Sequence, residues 1–264
     1  MIGYREIVNA LKQMGLTPQT TLLAHIAPHL SQQVKGGAST ILGALLAVVD
    51  NAMLPAFTLN TLVIPENGPG DNALSYGSGR ESNLSAEIFN LELPADAPHQ
   101  PMADTFLGYP LARRSTHPAL SFIGLGLNDI LESQTVADPY GSIRALLEWN
   151  GWVLLMGVDQ TSNFSIHYAE FLTGRKQFTR WALTPNGIVE CVNFPGCADG
   201  FNKLQYHLDE YKHETIVDGQ VCQAYPLTEI IDTASRLLRK DPYSLLCSRL
   251  DCERCNTVRQ SLQS

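Results

Sequence analysis

Apolar residues in this chain fall into two rhythms, short unbroken runs and stripes spaced three to four apart, and the two alternate along much of its length. Residues 152–156, WVLLM, form an uninterrupted run of the kind that makes a strand covered by helices on both faces. Residues 21–25 and 51–57 read as two more strands, and an apolar stretch after Pro118 as another. Between them lie helical stripes. Residues 4–14 carry one, closed by Gly15 and broken at Thr17-Pro18, and a second runs from Ala38 through Val49. Short helices follow Asn128 and Ser142, the latter stopping at Asn150-Gly151, and another, IHYAEFL, follows Ser165, which is placed to cap it. Asn186-Gly187 and Asp218-Gly219, each flanked by strand-like residues, predict two β-hairpins, and a helix is expected near residues 227–238. Strand and helix in alternation predict an α/β fold, a mainly parallel central sheet flanked by helices with added β-hairpins.

Composition narrows the class without changing that picture. With 264 residues, 44% hydrophobic and 17% charged, the chain suffices for a single domain, to which residues 240–264 add a cysteine-rich tail. No stretch approaches a membrane span and the N-terminus has no signal-peptide core, so a cytoplasmic location is expected. A net charge of -8 argues against nucleic acid and leaves room for a cationic partner. Much of the negative charge is local: Glu66, Asp71, Glu81, Glu87, Glu92, Asp96 and Asp104 are opposed in that stretch only by Arg80. They fall in a long region, residues 60–112, that shows no regular pattern.

Four places carry candidate chemistry. His167 and Glu170, three apart, share one face of the predicted helix at the carboxyl end of a strand, where open α/β sheets bind ligands. An imidazole there can take a proton from an attacking amine or hydroxyl while a carboxylate sets its tautomer. The plainer alternative is a satisfied polar helix start. Gly36-Gly37 stands where a helix begins, a place suited to a phosphate or simply to a turn. Residues 113–121 combine two arginines, three hydroxyls and a histidine, a set that could grip phosphate or form a solvated basic turn. Last, Cys247, Cys252 and Cys255 make C-x₄-C-x₂-C, with Cys191 or Cys197 as a fourth thiolate; a structural zinc and plain reduced thiols both fit. Cys191 and Cys222 lack the cationic or helix-start setting of a nucleophile.

Taken in order, LLAHIAPHLSQQVKGGAST, MLPAFT, RRSTHPALSFIGLG and GVDQTSNFSIHYAE resemble the aminoglycoside 3-N-acetyltransferase family, also called the antibiotic N-acetyltransferases. The resemblance runs from the first helix to the hairpin beyond residue 180, and the loop after residue 53 looks like an environmental branch. It departs from the family at Ile26-Ala27, where members carry two serines, and at Gly141-Ser142-Ile143, where Ser-Pro commonly follows the glycine. The resemblance implies an α/β enzyme that uses acetyl-coenzyme A as co-substrate, with His167 as the base and Glu170 its partner. By the same likeness His25, Lys35, Gly36, Gly37, Ala38, Arg114, Ser115, His117 and Ser121 look like the coenzyme A side of the cleft. The implied acceptor is a small cation, an aminoglycoside or a similar amine. An acyltransferase with another amine acceptor, or a non-catalytic relative that binds a small molecule, are the other functions the sequence allows.

Overall fold

The computed structural model describes residues 1–263. In chain order the elements are α1 (Tyr4–Gln13), β1 (Thr21–Ile26), α2 (Leu30–Gln33), α3 (Gly37–Leu46), β2 (Asn51–Pro55), β3 (Leu62–Val63), α4 (Gln100–Leu107), β4 (Arg113–Arg114) and β5 (Phe122–Leu125). There follow α5 (Asn128–Glu132), α6 (Gly141–Glu148), β6 (Trp152–Met156), α7 (Ile166–Leu172), β7 (Phe178–Thr184) and β8 (Gly187–Phe194). The chain then forms β9 (His213–Val217), β10 (Gln220–Pro226), α8 (Leu227–Lys240) and α9 (Glu253–Ser261).

Among the described residues seven strands form one sheet in the order β4-β5-β2-β1-β6-β10-β9, and β3, β7 and β8 form a second. The main sheet is buried by strict alternation. Leu22, Ala24, Leu154 and Met156 point into one core with α1, α3 and α4, whereas Leu23, Val153 and Leu155 point into the other, with α5 to α8 and the hairpin β7–β8. A strand that must satisfy two apolar cores has no polar face, which is why β1 and β6 read as unbroken hydrophobic runs.

The α/β class and the hairpins are as the pattern predicts, but the sheet is mixed. Parallel pairing is confined to β2, β1 and β6; β5 is antiparallel to β2, and β10 to β6. Parallel pairing needs a crossover helix on one face. After β2 the chain instead leaves to build β3 and α4 and returns through β4, so β5 enters from the opposite end. The region expected to be irregular thus holds a helix, α4, which buries Met102, Ala103 and Phe106 and starts with Pro101 in its first turn. The tail likewise contains α9.

Candidate active site

The site grows from the end of β6. There the chain turns, and the Asp159 carboxylate accepts the amide of Thr161 at 3.0 Å and the side chain of Asn202 at 2.6 Å, tying this turn to the segment after residue 200. Ser165 does not cap α7 as expected. Its backbone is helical, its hydroxyl donates to the Asn163 side-chain oxygen at 2.6 Å, and its amide donates to the same oxygen at 3.2 Å. The turn is therefore set by an Asn163 loop closed on itself rather than by a Ser cap.

Helix α7 delivers His167 and Glu170 into the interior, 5% and 3% exposed, a depth at which an unpartnered carboxylate would be costly. His167 Nδ1 lies 2.7 Å from Glu170 Oε2, and Arg175 Nη1 donates to Glu170 Oε1 at 2.7 Å. Arg175 also donates through Nη2 to the carbonyls of Pro242 and Ser244, each at 2.6 Å. A carboxylate accepts only, so Nδ1 of the neutral ring carries the proton and Nε2 keeps its lone pair. Among the described residues Nε2 has no protein partner. The ring is held edgewise by Phe164, with centroids 5.6 Å apart, and by the tilted ring of Phe201 at 4.7 Å. A relay of Arg175, Glu170 and His167, anchored in backbone at one end and open at Nε2 on the other, is the geometry of an oriented base.

Arg175 and Phe201 escaped the sequence reading. Arg175 stands five residues beyond Glu170, past the end of α7, and only the return of the chain at Gly174 brings it back against the carboxylate. Phe201 lies 34 positions from His167 in a stretch without strong periodicity.

At the carboxyl ends of the parallel strands, His25 and His99 line a small cavity with Ile26, Pro55, Met102 and Ser162. Burial, with the neighbouring His99, pushes the His25 imidazole down to about 3, and burial lowers His99 to about 4, so both are neutral at ordinary pH. The ring of His99 packs edgewise on Phe57, which packs on Phe164 and so reaches the wall of the His167 site. Across the sheet, Gly36 caps α3 in the left-handed region at φ +87°, where a Cβ would meet the Thr40 hydroxyl at 2.3 Å. Lys35 and Gly36 are exposed, with Gly37 and Ala38 half-buried, at the start of a ten-residue helix.

The segment 113–121, expected on the coenzyme A side of the cleft, bonds many of its polar groups within the protein, while Arg113 to Thr116 also line a cavity with Asn128 and Glu132. Arg114 is 8% exposed, and its guanidinium donates to the Ser121 hydroxyl at 2.9 Å and to the carbonyls of Ala56, at 2.6 Å, and Leu93. Ser121 in turn donates its own proton to the Ala56 carbonyl at 2.8 Å. Ser115 bonds the Gln134 side chain and accepts the amide of Phe122 at 2.9 Å. His117 is fully buried, and its Nδ1 accepts the amides of Ala119 and Leu120 at 3.2 and 3.1 Å. Two amides on Nδ1 force the proton onto Nε2, so this ring has no lone pair to offer as a base. The guanidinium of Arg114 and the Ser121 hydroxyl are engaged by the carbonyls of Ala56, just past β2, and Leu93, in the stretch before α4.

The cysteines divide as sharply. Burial pushes the Cys191 thiol up to about 12 and Cys222 to about 11, which makes both poor nucleophiles. Cys247, Cys252 and Cys255 come together, and Cys197, not Cys191, joins them.

With this geometry in view, the sequence profile described as aminoglycoside 3-N-acetyltransferase matches residues 23–239, most of the chain. The chain belongs to the aminoglycoside 3-N-acetyltransferase family. Members of this family are acyltransferases, and the chain has curated relatives that bear the family's name. One is an aminoglycoside N(3)-acetyltransferase III of Salmonella sp, 22% identical over 283 residues that cover 89% of this chain and 91% of the relative. Among solved structures, the apoenzyme of aminoglycoside acetyltransferase AAC(3)-IVa shares the fold with a TM-score of 0.79, at 23% identity and 98% coverage of both chains. A mutant of that enzyme in complex with a gentamicin gives 0.77 at 22% identity, covering 98% of this chain and 97% of that one. AAC-IIIb with CoASH gives 0.72 at 17% identity, covering 90% and 96%. The described helices include none long and apolar enough to cross a membrane.

Proposed function

We propose that this protein transfers an acetyl group from acetyl-coenzyme A to the 3-amino group of an aminoglycoside, with His167 as general base. The observation that carries the reading is the tautomer: Glu170 on Nδ1 leaves Nε2 as the acceptor on an otherwise apolar-walled ring. Nε2 removes the proton of the attacking amine as its nitrogen bonds to the thioester carbon. The carbon–sulfur bond then breaks, and the coenzyme A sulfur takes up the proton from the imidazolium. Glu170 stabilises that cation while it exists, and Arg175 holds Glu170 in line and pairs its charge.

Support from relatives is of two kinds: one structural neighbour is a complex with a gentamicin and another is a binary complex with CoASH. For the coenzyme, His25 at the small cavity and Lys35, Gly36, Gly37 and Ala38 at the start of α3 are the candidates that keep an open side or an amide-rich helix start. Arg114, Ser115, His117 and Ser121 act in this reading as the buried scaffold beneath the cleft. Incubation of an aminoglycoside panel with acetyl-coenzyme A, followed by mass spectrometry, tests the proposal. One acetyl group gained with the wild type and lost with His167→Ala is the expected result. Coenzyme A binding by calorimetry without transfer would move the acceptor to another amine, and neither binding nor transfer would leave the reading without support.

A further inference from the structure

The Sγ atoms of Cys197, Cys247, Cys252 and Cys255 all lie within 4.8 Å of one another. We propose that these four thiolates hold one structural zinc ion, which fastens the loop after β8 to the segment between α8 and α9. Tetrahedral zinc with Zn–S bonds of about 2.3 Å places its sulfurs about 3.8 Å apart, so the cluster needs to tighten by no more than about an ångström. The donor set excludes the harder alternatives: four soft thiolates without a carboxylate or carbonyl suit zinc, not magnesium or calcium. Binding replaces four thiol protons by four Zn–S bonds and releases the protons to solvent.

The surroundings are those of a closed structural site. Cys247, Cys252 and Cys255 are 3%, 7% and 1% exposed, and Cys252 and Cys255 sit at the start of α9, where helix geometry favours anionic sulfur. The two loops approach backbone to backbone: a Cβ on Gly200 would lie 2.2 Å from the Leu245 carbonyl. Arg249 pairs with Asp199 at 3.1 Å and Arg254, in the first turn of α9, donates to the Gly196 carbonyl at 3.2 Å, so both bonds tie the loop after β8 to the chain around the cysteines. Arg259 donates to the Cys247 carbonyl from within α9. Three cations thus gather about a centre whose four thiolates and zinc sum to a charge of about −2.

Both fastened segments lead to the dyad. Four residues beyond Cys197 is Phe201, against the His167 ring, and three residues before Cys247 is Ser244, whose carbonyl holds Arg175. The zinc site stands on the cysteine geometry alone, while its consequence for His167 rests on the function proposed above. The ion acts as a positioning element for the relay, since it immobilises what touches His167 and Arg175 without touching either.

Full-length protein purified without added metal or chelator tests the site by elemental mass spectrometry. One zinc per chain is expected, and cobalt-grown protein should show the intense visible bands of a tetrahedral tetrathiolate. Cys197→Ser and Cys255→Ser should lose the metal, and Cys191→Ser, outside the cluster, should retain it. Metal-free thiols, a disulfide among the four in an unreduced peptide map, or iron in place of zinc would overturn the proposal. The coupling is read separately, in wild-type protein labelled at histidine: chelation of the zinc should shift the ring resonance assigned to His167 by its loss in His167→Ala. A resonance unmoved by zinc removal, in protein still folded by near-ultraviolet circular dichroism, would overturn the positioning role and leave the metal site standing.

Discussion

Two regions of this protein are built from the same parts, an arginine, a histidine and hydroxyl or carboxyl groups, all buried, and only one has the form of a reactive site. Around His167 the arginine faces a carboxylate and the carboxylate faces the ring, so each charge is answered by another and the last atom, Nε2, stays open. Around Arg114 the arginine faces Ala56, Leu93 and Ser121, and the histidine is tied down by two amides. A charge answered by carbonyls locks backbone in place, whereas a charge answered through a carboxylate sets the proton on an imidazole. What separates the two is which nitrogen of the histidine carries the proton, and that follows from what faces Nδ1, an accepting carboxylate at His167 and two donating amides at His117.

The sharpest way to break the contrast is at the rings. His167→Ala should lower turnover by about 10²–10⁴-fold in steady-state kinetics, with little change in thermal midpoint, because one general base is removed. The same substitution at His117 should leave turnover per folded molecule within severalfold and lower the midpoint instead.

Next in size is the ion pair. Glu170→Ala strands the Arg175 guanidinium beneath the surface, and urea denaturation should show a loss of about 3–5 kcal/mol. The double variant Glu170→Leu, Arg175→Met should recover much of that stability while remaining inactive, since the buried charges leave together. A double variant less stable than either single would mean the pair contributes more than mutual compensation.

A smaller effect is expected at Arg114→Met. The Leu93 carbonyl loses its donor, while that of Ala56 keeps the Ser121 hydroxyl, so the cost should be about 1–3 kcal/mol for the one group left unsatisfied, and the KM for acetyl-coenzyme A should stay within twofold. A large rise in KM would return Arg114 to the phosphate role that its sequence context suggested.

The smallest effect, taken per histidine and per pH unit, is electrostatic and reads the buried histidines together. His25, His99 and His117, ordinarily near 6.5, are held down to about 3, about 4 and about 4, chiefly by burial. In the unfolded chain all three take a proton near 6.5 and in the folded chain none does until far lower, so stability falls as pH drops through that window and is unaffected by them above it. Each should add up to about 1.4 kcal/mol per pH unit to the slope between about 6 and 4. Urea midpoints at pH 7.5, 6 and 5 measure it, and a His117→Phe variant that flattened the slope by one proton would isolate one of the three.

Much of the frame was legible. Residues 152–156 and 166–172, expected as strand and helix, are found with those bounds, because an apolar run between glycines and a short amphipathic stretch are decided locally. The sheet direction was not legible: the mainly parallel arrangement expected gives way to a parallel centre with antiparallel flanks, since pairing depends on where the long excursion between Pro55 and Phe122 returns. Helix α4 escaped because three buried positions among prolines make too short a stripe to stand out.

For the site, the sequence determined by itself that His167 and Glu170 share a helical face, since a spacing of three on a helix leaves no other outcome. It also determined that Cys252 and Cys255, separated by two residues, lie close together. Tertiary structure alone decided the rest. It brought Arg175 against Glu170, Phe201 against His167 and Cys197 beside three cysteines far along the chain, and it turned Arg114 inward. The physical reason is common to all four: a side chain's partner along a helix is set by its pitch, but its partner across the core is set by the loops that close over it, whose paths are the sum of many weak contacts.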